Sequence, residues 1–332
     1  MKTSIGIIPN PMAGEDIRRL TAYGITYNNV QKAELVREIV LGADSVGAEE
    51  IVFMPDYLGI GYFAVDRVVD KISAEVTFLD MPITNTQEDS TLAAKMMNEV
   101  NVGCIVVVGG DGTNKAVAKG NGDTPVLPLA AGTNNVFPYM MEGTVAGIIA
   151  GYLAKTRSRD GLFKAKEVKV LREGEPIDIA LIDAVVCEHV FIGAKALWSV
   201  EPITQMVATV GDPTRIGMSS IGAFMSIVDR KDLNHGIYVK LSKGNGNASV
   251  KAPIAPGIVS DVRIEEFRIL NAGDKIEVET KPSTIAVDGE REVSVRKDDF
   301  VEIMLTKDGP WVVDVPKVLK EIVEKGWLRK IV

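Results

Sequence analysis

The segment Ile105-Val106-Val107-Val108-Gly109-Gly110-Asp111-Gly112-Thr113 constrains this chain more than any other. Four aliphatic residues in a row, without alternation, fit a strand buried on both faces, as in the middle of a parallel sheet. Two glycines stop the run, and Asn114, Lys115, Ala116, Val117 and Ala118 continue with a helical pattern. A glycine turn from strand into helix lets backbone approach a ligand closely, and the first N–H groups of the helix suit a phosphate. A carboxylate among those glycines would repel bare phosphate. Asp111 therefore reads as a Mg²⁺-linked organiser or as a base that takes a proton from an attacking hydroxyl. A helix N-cap is the structural alternative for the same side chain.

The flanking pattern agrees with a parallel sheet. Strand-like runs at Ser4–Ile8, Ile51–Met54 and Glu75–Leu79 alternate with helical spacing over Lys32–Ala43 and Ala64–Ile72. A further helix is expected after Thr86-Gln87-Glu88-Asp89, which has the form of a capping box. The pattern changes after about Ala154. Glu167–Arg172 and Ile177–Cys187 flank a Glu-Gly-Glu-Pro turn and read as a hairpin. Ile237–Leu241, Val262–Leu270, Lys275–Thr280, Ser283–Val287 and Phe300–Leu305 follow, separated by Gly, Asn and Asp turns, which reads as an antiparallel β-sandwich. Pro316–Ile331 returns to helical spacing. The expected fold is α/β plus all-β: a Rossmann-like domain over 1–154, a β-sandwich over 155–315, and a helix over 316–332 that packs back on a domain. A length of 332 residues suits about two domains at roughly 150 residues each.

Charge and residue usage exclude several functions. Lys and Arg number 37 against 45 Asp and Glu, a net charge of −8. That balance opposes broad binding to nucleic acid or to an anionic membrane, since both need a positive field. The uncharged stretch Thr124–Met141 contains Pro125, Pro128, Asn134 and Asn135 and will not span a bilayer. The N-terminal apolar stretch is too short for a secretion signal, so a cytoplasmic protein is expected. Cys104 and Cys187 sit in apolar runs and read as buried reduced thiols. With only two histidines, His189 and His235, a zinc site is not expected, and both read as structural or surface residues.

Gly109-Gly110-Asp111-Gly112-Thr113 resembles the signature shared by NAD kinases, diacylglycerol and sphingosine kinases and, more distantly, phosphofructokinases. Other pieces agree in order. Asn10-Pro11-Met12-Ala13-Gly14 resembles the family's first nucleotide-contacting turn. Gly132-Thr133-Asn134-Asn135-Val136-Phe137 is similar to its second phosphate motif, and Asp288-Gly289-Glu290 to the D-G-E of the lipid kinases. Within the superfamily, the stretch from Asn10 to Arg19, with Val52–Asp56 and Glu88-Asp89-Ser90, resembles the AcoX-type branch of the ATP-NAD kinase family. The resemblance implies a Rossmann-like domain and a β-sandwich with the active site between them.

It also implies ATP and Mg²⁺ as cofactors and a small-molecule alcohol as acceptor, NAD or a related nucleotide being the first nominee. The implied roles are Asp111 and Glu290 as catalytic carboxylates, with Asp111 also on the metal. Asn10, Gly109, Gly110, Gly112, Thr113, Gly132, Thr133, Asn134 and Asn135 would meet the nucleotide. Asp183, Asp288 and Gly289 would meet the acceptor. A homo-oligomer, dimer or tetramer, is implied as well. Asp288-Gly289-Glu290 is also a good hairpin turn in its own right. Arg18 and Arg19 fit phosphate neutralisation or a solvated face, and Asp56 follows a strand end and could line the cleft. The acceptor patterns are broken in both directions. Ile182 stands where NAD kinases carry the Asn before the acid at Asp183, and Gly217–Gly222 lacks the Tyr of their Gly-Ser-Thr-Ala-Tyr loop. Val136 stands where the lipid kinases carry Asp. The alternatives are a lipid kinase of the diacylglycerol or sphingoid type, and a nucleotide-binding regulator without catalysis.

Overall fold

The computed structural model describes residues 2–15, 22–23, 27–133, 135–188 and 196–329. Strands β1 (Ser4–Pro9), β2 (Glu50–Phe53), β3 (Glu75–Phe78), β4 (Ile105–Gly109) and β5 (Val126–Ala130) run parallel in the order β3-β2-β1-β4-β5. β1, β4 and β5 are buried at every position, which is why they read as apolar runs rather than alternating ones. Helices α1 (Asn29–Ser45), α2 (Ile60–Asp66), α3 (Gln87–Glu99), α4 (Asp111–Ala118) and α5 (Gly143–Thr156) cover both faces. Val36, Ile39, Ile60 and Ile149 pack on one face, and Ala93, Met97 and Val117 on the other.

Two short strands from later in the chain extend this sheet. β6 (Leu162–Lys164) pairs antiparallel with β18 (Trp311–Val313), and β18 lies parallel to β5. Helix α7 (Val315–Glu324) then buries Val318 and Ile322 in the core that α1 and α5 share.

The rest is antiparallel. β7 (Glu167–Arg172), β8 (Glu175–Ala180), β14 (Lys275–Glu277) and β17 (Val301–Thr306) form a four-stranded sheet. β9 (Asp183–Cys187), β10 (Ile203–Ala208), β11 (His235–Leu241), β12 (Ala248–Ala255), β13 (Ile258–Asn271), β15 (Ser283–Val287) and β16 (Glu290–Val295) form a second, in the order β12-β13-β11-β10-β9-β15-β16. Val168, Val170, Ile303 and Leu305 of the small sheet meet Val186, Val207, Ile285 and Val287 of the large one, which makes the sandwich core. A short helix, α6 (Ser220–Ala223), places Ile221 on the outer face of the large sheet.

Three expectations change. The apolar run Ile177–Cys187 is not one strand: it breaks at Leu181-Ile182, where the chain leaves β8 and enters β9 of the other sheet. The helix expected over Ala64–Ile72 begins earlier, at Ile60, and ends in a separate 3₁₀ turn at Val69–Lys71. Thr86 caps α3 as expected, accepting the Glu88 N–H at 3.3 Å, but Asp89 does not complete a box. Its short carboxylate instead accepts from Thr84 N at 2.9 Å, Asn85 N at 2.8 Å and Thr84 Oγ1 at 2.6 Å. A full box forms on α1, between Asn28 and Gln31. Cys104 and Cys187 are free and buried, and burial pushes both thiols up to about 12. His235 sits 2.7 Å from Asp232, while His189, Arg18 and Arg19 lie outside the described residues. Among the described residues no helix is long and apolar enough to cross a membrane.

Candidate active site

The strand order reverses between β1 and β4, and the loops leaving their C-terminal ends open a crevice there. After β1, Asn10 turns the chain: its Oδ1 accepts the Met12 N–H at 2.9 Å, and its Nδ2 donates to Thr113 Oγ1 at 2.7 Å. Lys32 of α1 supports that turn from beneath. Its fully buried Nζ donates to Pro11 O at 2.8 Å, Ala13 O at 2.7 Å and Asn29 Oδ1 at 3.1 Å. Burial pushes this ammonium down to about 8, against the pull of Glu15 and Asp56.

After β4, Gly110 is extended and α4 starts at Asp111. A side chain at Gly109 would lie 2.5 Å from Thr113 Oγ1, and one at Gly132 would lie 2.7 Å from the Gly110 backbone. The glycines thus let the two phosphate-type loops touch. Asp111 ties them. Its carboxylate, 5% exposed, accepts Val136 N at 3.0 and 3.2 Å and Phe137 N at 2.9 Å. Asn135 closes its own loop, with Oδ1 accepting from Gly132 N at 3.0 Å and Nδ2 donating to Gly132 O at 2.8 Å. Asn134 lies outside the described residues.

The sandwich supplies the opposite wall. Asp288 and Gly289, with φ of +50° and +80°, form the two-residue turn between β15 and β16, and Val287 pairs with Glu290. Both central residues at positive φ suit a primed hairpin turn, which explains the Asp-Gly pair. The Asp288 carboxylate accepts three amides where β8 breaks into β9: Leu181 N at 2.9 Å, Ile182 N at 2.7 Å and Asp183 N at 3.3 Å. Burial pushes its carboxyl up to about 6, against Lys115 and those amides. The turn delivers Glu290 toward α3 and α4. Gln87 Nε2 donates to Glu290 Oε2 at 3.1 Å and to Glu292 Oε1 at 3.2 Å, and Lys115 pairs with Glu292.

These parts enclose a cavity of about 430 Å³. Asn10, Gly110, Asp111, Gly112, Thr113, Gly132, Thr133, Asp288 and Glu290 line it, as does Asp56. Gly109, Asn135 and Gly289 shape its loops without lining it. Asp183 touches Asp288 but does not itself line the cavity; it is buried, with Oδ2 accepting the Ser219 N–H at 3.0 Å. Five carboxylates line the cavity, those of Asp56, Asp89, Asp111, Asp288 and Glu290, and among the described lining residues there is no Lys or Arg. Among the described residues no three His, Cys, Asp or Glu side chains are grouped closely enough to hold a metal by themselves.

Gln87, Lys115 and Glu292 were not singled out from the sequence. Their signals are positional. Glu292 follows Glu290 by two residues and so shares its face of β16, and Lys115 stands four residues after Asp111, one turn further along α4. Lys32 carried no such signal.

Comparison with known proteins agrees with this anatomy. Residues 6–156 match the family model of the ATP-NAD kinase N-terminal domain, and residues 166–308 match that of the acetoin catabolism protein X C-terminal domain. Over 313 residues the chain is 33% identical to acetoin catabolism protein X of Cupriavidus necator, covering 91% of this chain and 87% of that protein. Over 97 residues it is 31% identical to an uncharacterised protein of Archaeoglobus fulgidus, covering 29% of this chain and 32% of that one. A solved structure described as a diacylglycerol kinase of Bacillus anthracis strain Sterne is similar with a TM-score of 0.44 and 14% identity, over 94% of this chain and 96% of that one. The chain has an NAD kinase-like fold and belongs to the acetoin catabolism protein X family.

Proposed function

We propose that this protein is an ATP-dependent, Mg²⁺-requiring kinase that transfers phosphate to a hydroxyl of a small molecule, with NAD or a related nucleotide as the first acceptor to try. The observation that carries the reading is the meeting, at one cavity, of the glycine-lined start of α4 with Glu290, which arrives on a hairpin from the sandwich. Phosphoryl transfer asks little covalent chemistry of a protein, and positioning with electrostatic stabilisation supplies most of the rate. The turn from Gly110 to Thr113 offers backbone N–H groups to phosphate oxygens, and Asn10 fixes the Thr113 hydroxyl beside them.

The donor set fits a divalent cation. Five carboxylates without a lining Lys or Arg among the described residues would repel bare phosphates but accept their cation complex. Asp111 would hold Mg²⁺ at the glycine-lined start of α4, leaving Glu290 free for the proton. When bound, the ion neutralises charge on the transferred group. Asp111 already accepts two backbone amides, which suits an organiser of the loops. Glu290 lines the cavity from the sandwich side and suits the base that takes the acceptor's proton.

The test is transfer from γ-labelled ATP, with Mg²⁺, to NAD, NADH, a diacylglycerol, a sphingoid base and small acetoin-like alcohols. Label should enter one acceptor. Asp111→Asn should abolish it, and Glu290→Gln should lower the rate by about 10²–10⁴-fold. ATP binding without label in any acceptor would overturn the kinase reading in favour of a nucleotide-binding regulator. A homo-oligomer belongs to the same proposal, and light scattering of the purified chain tests it.

A further inference from the structure

A second cavity, of about 220 Å³, lies where the two halves of the chain meet. None of Asp111, Gly112, Asp288 and Glu290 lines it. Its walls are largely apolar, with Phe137, Phe163, Ile182, Val210 and Ile227 among them, and two cations face it, Arg230 and Lys166. Arg230 Nη2 donates to Phe137 O at 2.7 Å, and its guanidinium lies 4.8–5.4 Å from the ring centres of Tyr139, Phe137 and Phe163. Lys166, 2% exposed, donates to His235 O at 2.6 Å and Asp229 O at 3.3 Å.

The partners are carbonyls and rings, not carboxylates. Among the described residues no carboxylate comes within 4.0 Å of either cation. Elsewhere in the chain Lys115, Lys119 and Lys231 each have one: Glu292, Asp178 and Asp314. Two acids line the cavity, Asp212 and Asp229; with Asp232 and Asp111 they act on the two cations only from beyond contact distance. Asp212 Oδ1 accepts from Thr214 N at 2.9 Å and Thr214 Oγ1 at 2.6 Å, and Asp229 Oδ1 accepts from Lys231 N at 2.7 Å. A third cation, Arg215, stands nearby, with Nη1 donating to Asn135 O at 3.2 Å and Nε 3.7 Å from Asp212. Burial pushes the Lys166 ammonium down to about 8 and lowers Arg230 as well.

A cation withdrawn from water and held by carbonyls and ring faces keeps charge that an anion can compensate. Charge-assisted hydrogen bonds from a guanidinium are among the strongest a protein makes. The volume is below the roughly 300–1,000 Å³ of sites for drug-sized ligands, so the occupant is small. We infer that this cavity binds a small anion with an apolar body, a carboxylate or a phosphate monoester, whose charged end meets Arg230 and Lys166 and whose body lies against Phe137, Phe163 and Ile227.

Titration calorimetry on the full chain tests this with isovalerate, isobutyl phosphate and the neutral isovaleramide. One of the two anions should bind at a single site, and which one binds separates carboxylate from phosphate recognition. The amide should bind at least about tenfold more weakly. Arg230→Met should weaken the anion by about tenfold or more. Ile227 is 73% exposed at this cavity, so Ile227→Glu should fold normally and weaken binding, while Ile227→Lys should keep or tighten it. Equal binding of amide and anion would overturn the inference. So would affinity unchanged in both Arg230→Met and Ile227→Glu, or no heat from either anion up to about 10 mM.

Discussion

Asn10 and Thr113, 103 positions apart in sequence, meet side chain to side chain, with Asn10 Nδ2 donating to Thr113 Oγ1 at 2.7 Å. The contact joins the loop after β1 to the first turn of α4, across the point where the strand order reverses. Thr113→Val keeps the shape and removes the hydroxyl. It should cost about 1 kcal/mol in urea unfolding. A cycle with Asn10→Ala should give a coupling of about 0.5–1.5 kcal/mol. Strictly additive losses would mean that the two loops are held independently.

Gly112 separates folding from binding. It lies in the first turn of α4, and a side chain there would stand 3.6 Å from Glu290 Oε1 and 3.7 Å from Gln87 Nε2, in ordinary contact. Gly112→Ala should therefore fold, with stability unchanged or raised by about 0.5–1 kcal/mol, because alanine is the better helix former. Its methyl group fills the space between the helix start and Glu290, so nucleotide binding should fall by tenfold or more (about 1.4 kcal/mol). Gly109→Ala should do the reverse and lose stability, since its methyl would meet Thr113 at 2.5 Å. Thermal unfolding and nucleotide titration of both variants check the contrast. Equal behaviour would show that Gly112 does not face the ligand.

The parallel sheet was legible because buried parallel strands carry unbroken apolar runs, and the hairpin because Asp288-Gly289 states its backbone. The β8–β9 break was not, since Leu181 and Ile182 are as apolar as the strands they separate and only the sheet change distinguishes them. β10 was missed for the opposite reason. Its Gln205 is 1% exposed, and it donates to Tyr238 Oη and Glu277 O while accepting from Glu279 N. A polar residue whose partners all lie far along the chain looks like loop in the sequence. The site divides the same way. Residues whose role follows from backbone geometry, such as the turn from Gly110 to Thr113, could be named beforehand. Gln87, Lys115 and Glu292 could not, because their partners come from three elements far apart in the chain.

Asp288 gives the fold a pH dependence of unusual sign. Its carboxyl stands at about 6 in the folded chain against an ordinary 3.8. Between those values the folded state holds a proton that the unfolded state has lost. Stability from this group is therefore greatest below about pH 4, falls as pH rises to about 6, and stays lower above it. The shift corresponds to roughly 2–3 kcal/mol. Asn tolerates the left-handed backbone at this position, so Asp288→Asn should fold and lose this dependence. Urea unfolding of both proteins at pH 4, 5, 6 and 7 isolates the difference. A difference that does not change with pH would show that the three amides and Lys115 outweigh burial and hold the carboxyl at its ordinary value.

Lys115 and Gln87 together hold the acids around Glu290. Lys115 is fully buried, and although burial disfavours its charge, Asp178, Glu292 and Asp288 hold its ammonium above the ordinary value. Glu292 receives that charge and, through Gln87 Nε2, shares a donor with Glu290. Lys115→Met leaves Glu292 and its neighbouring acids without their cation and should cost about 3–5 kcal/mol. Adding Glu292→Gln should recover part of that loss, because a half-buried acid without its cation is what destabilises the single variant. Losses in the double variant equal to the sum of the singles would show that the two are not coupled. Gln87→Leu spares the ion pair and removes only the donor that Glu290 and Glu292 share. It should keep most of the stability while shifting the pH profile of phosphate transfer, since the donor to Glu290 stabilises its charged form. A profile identical to wild type would mean that Gln87 closes the cavity wall without tuning the acid beside it.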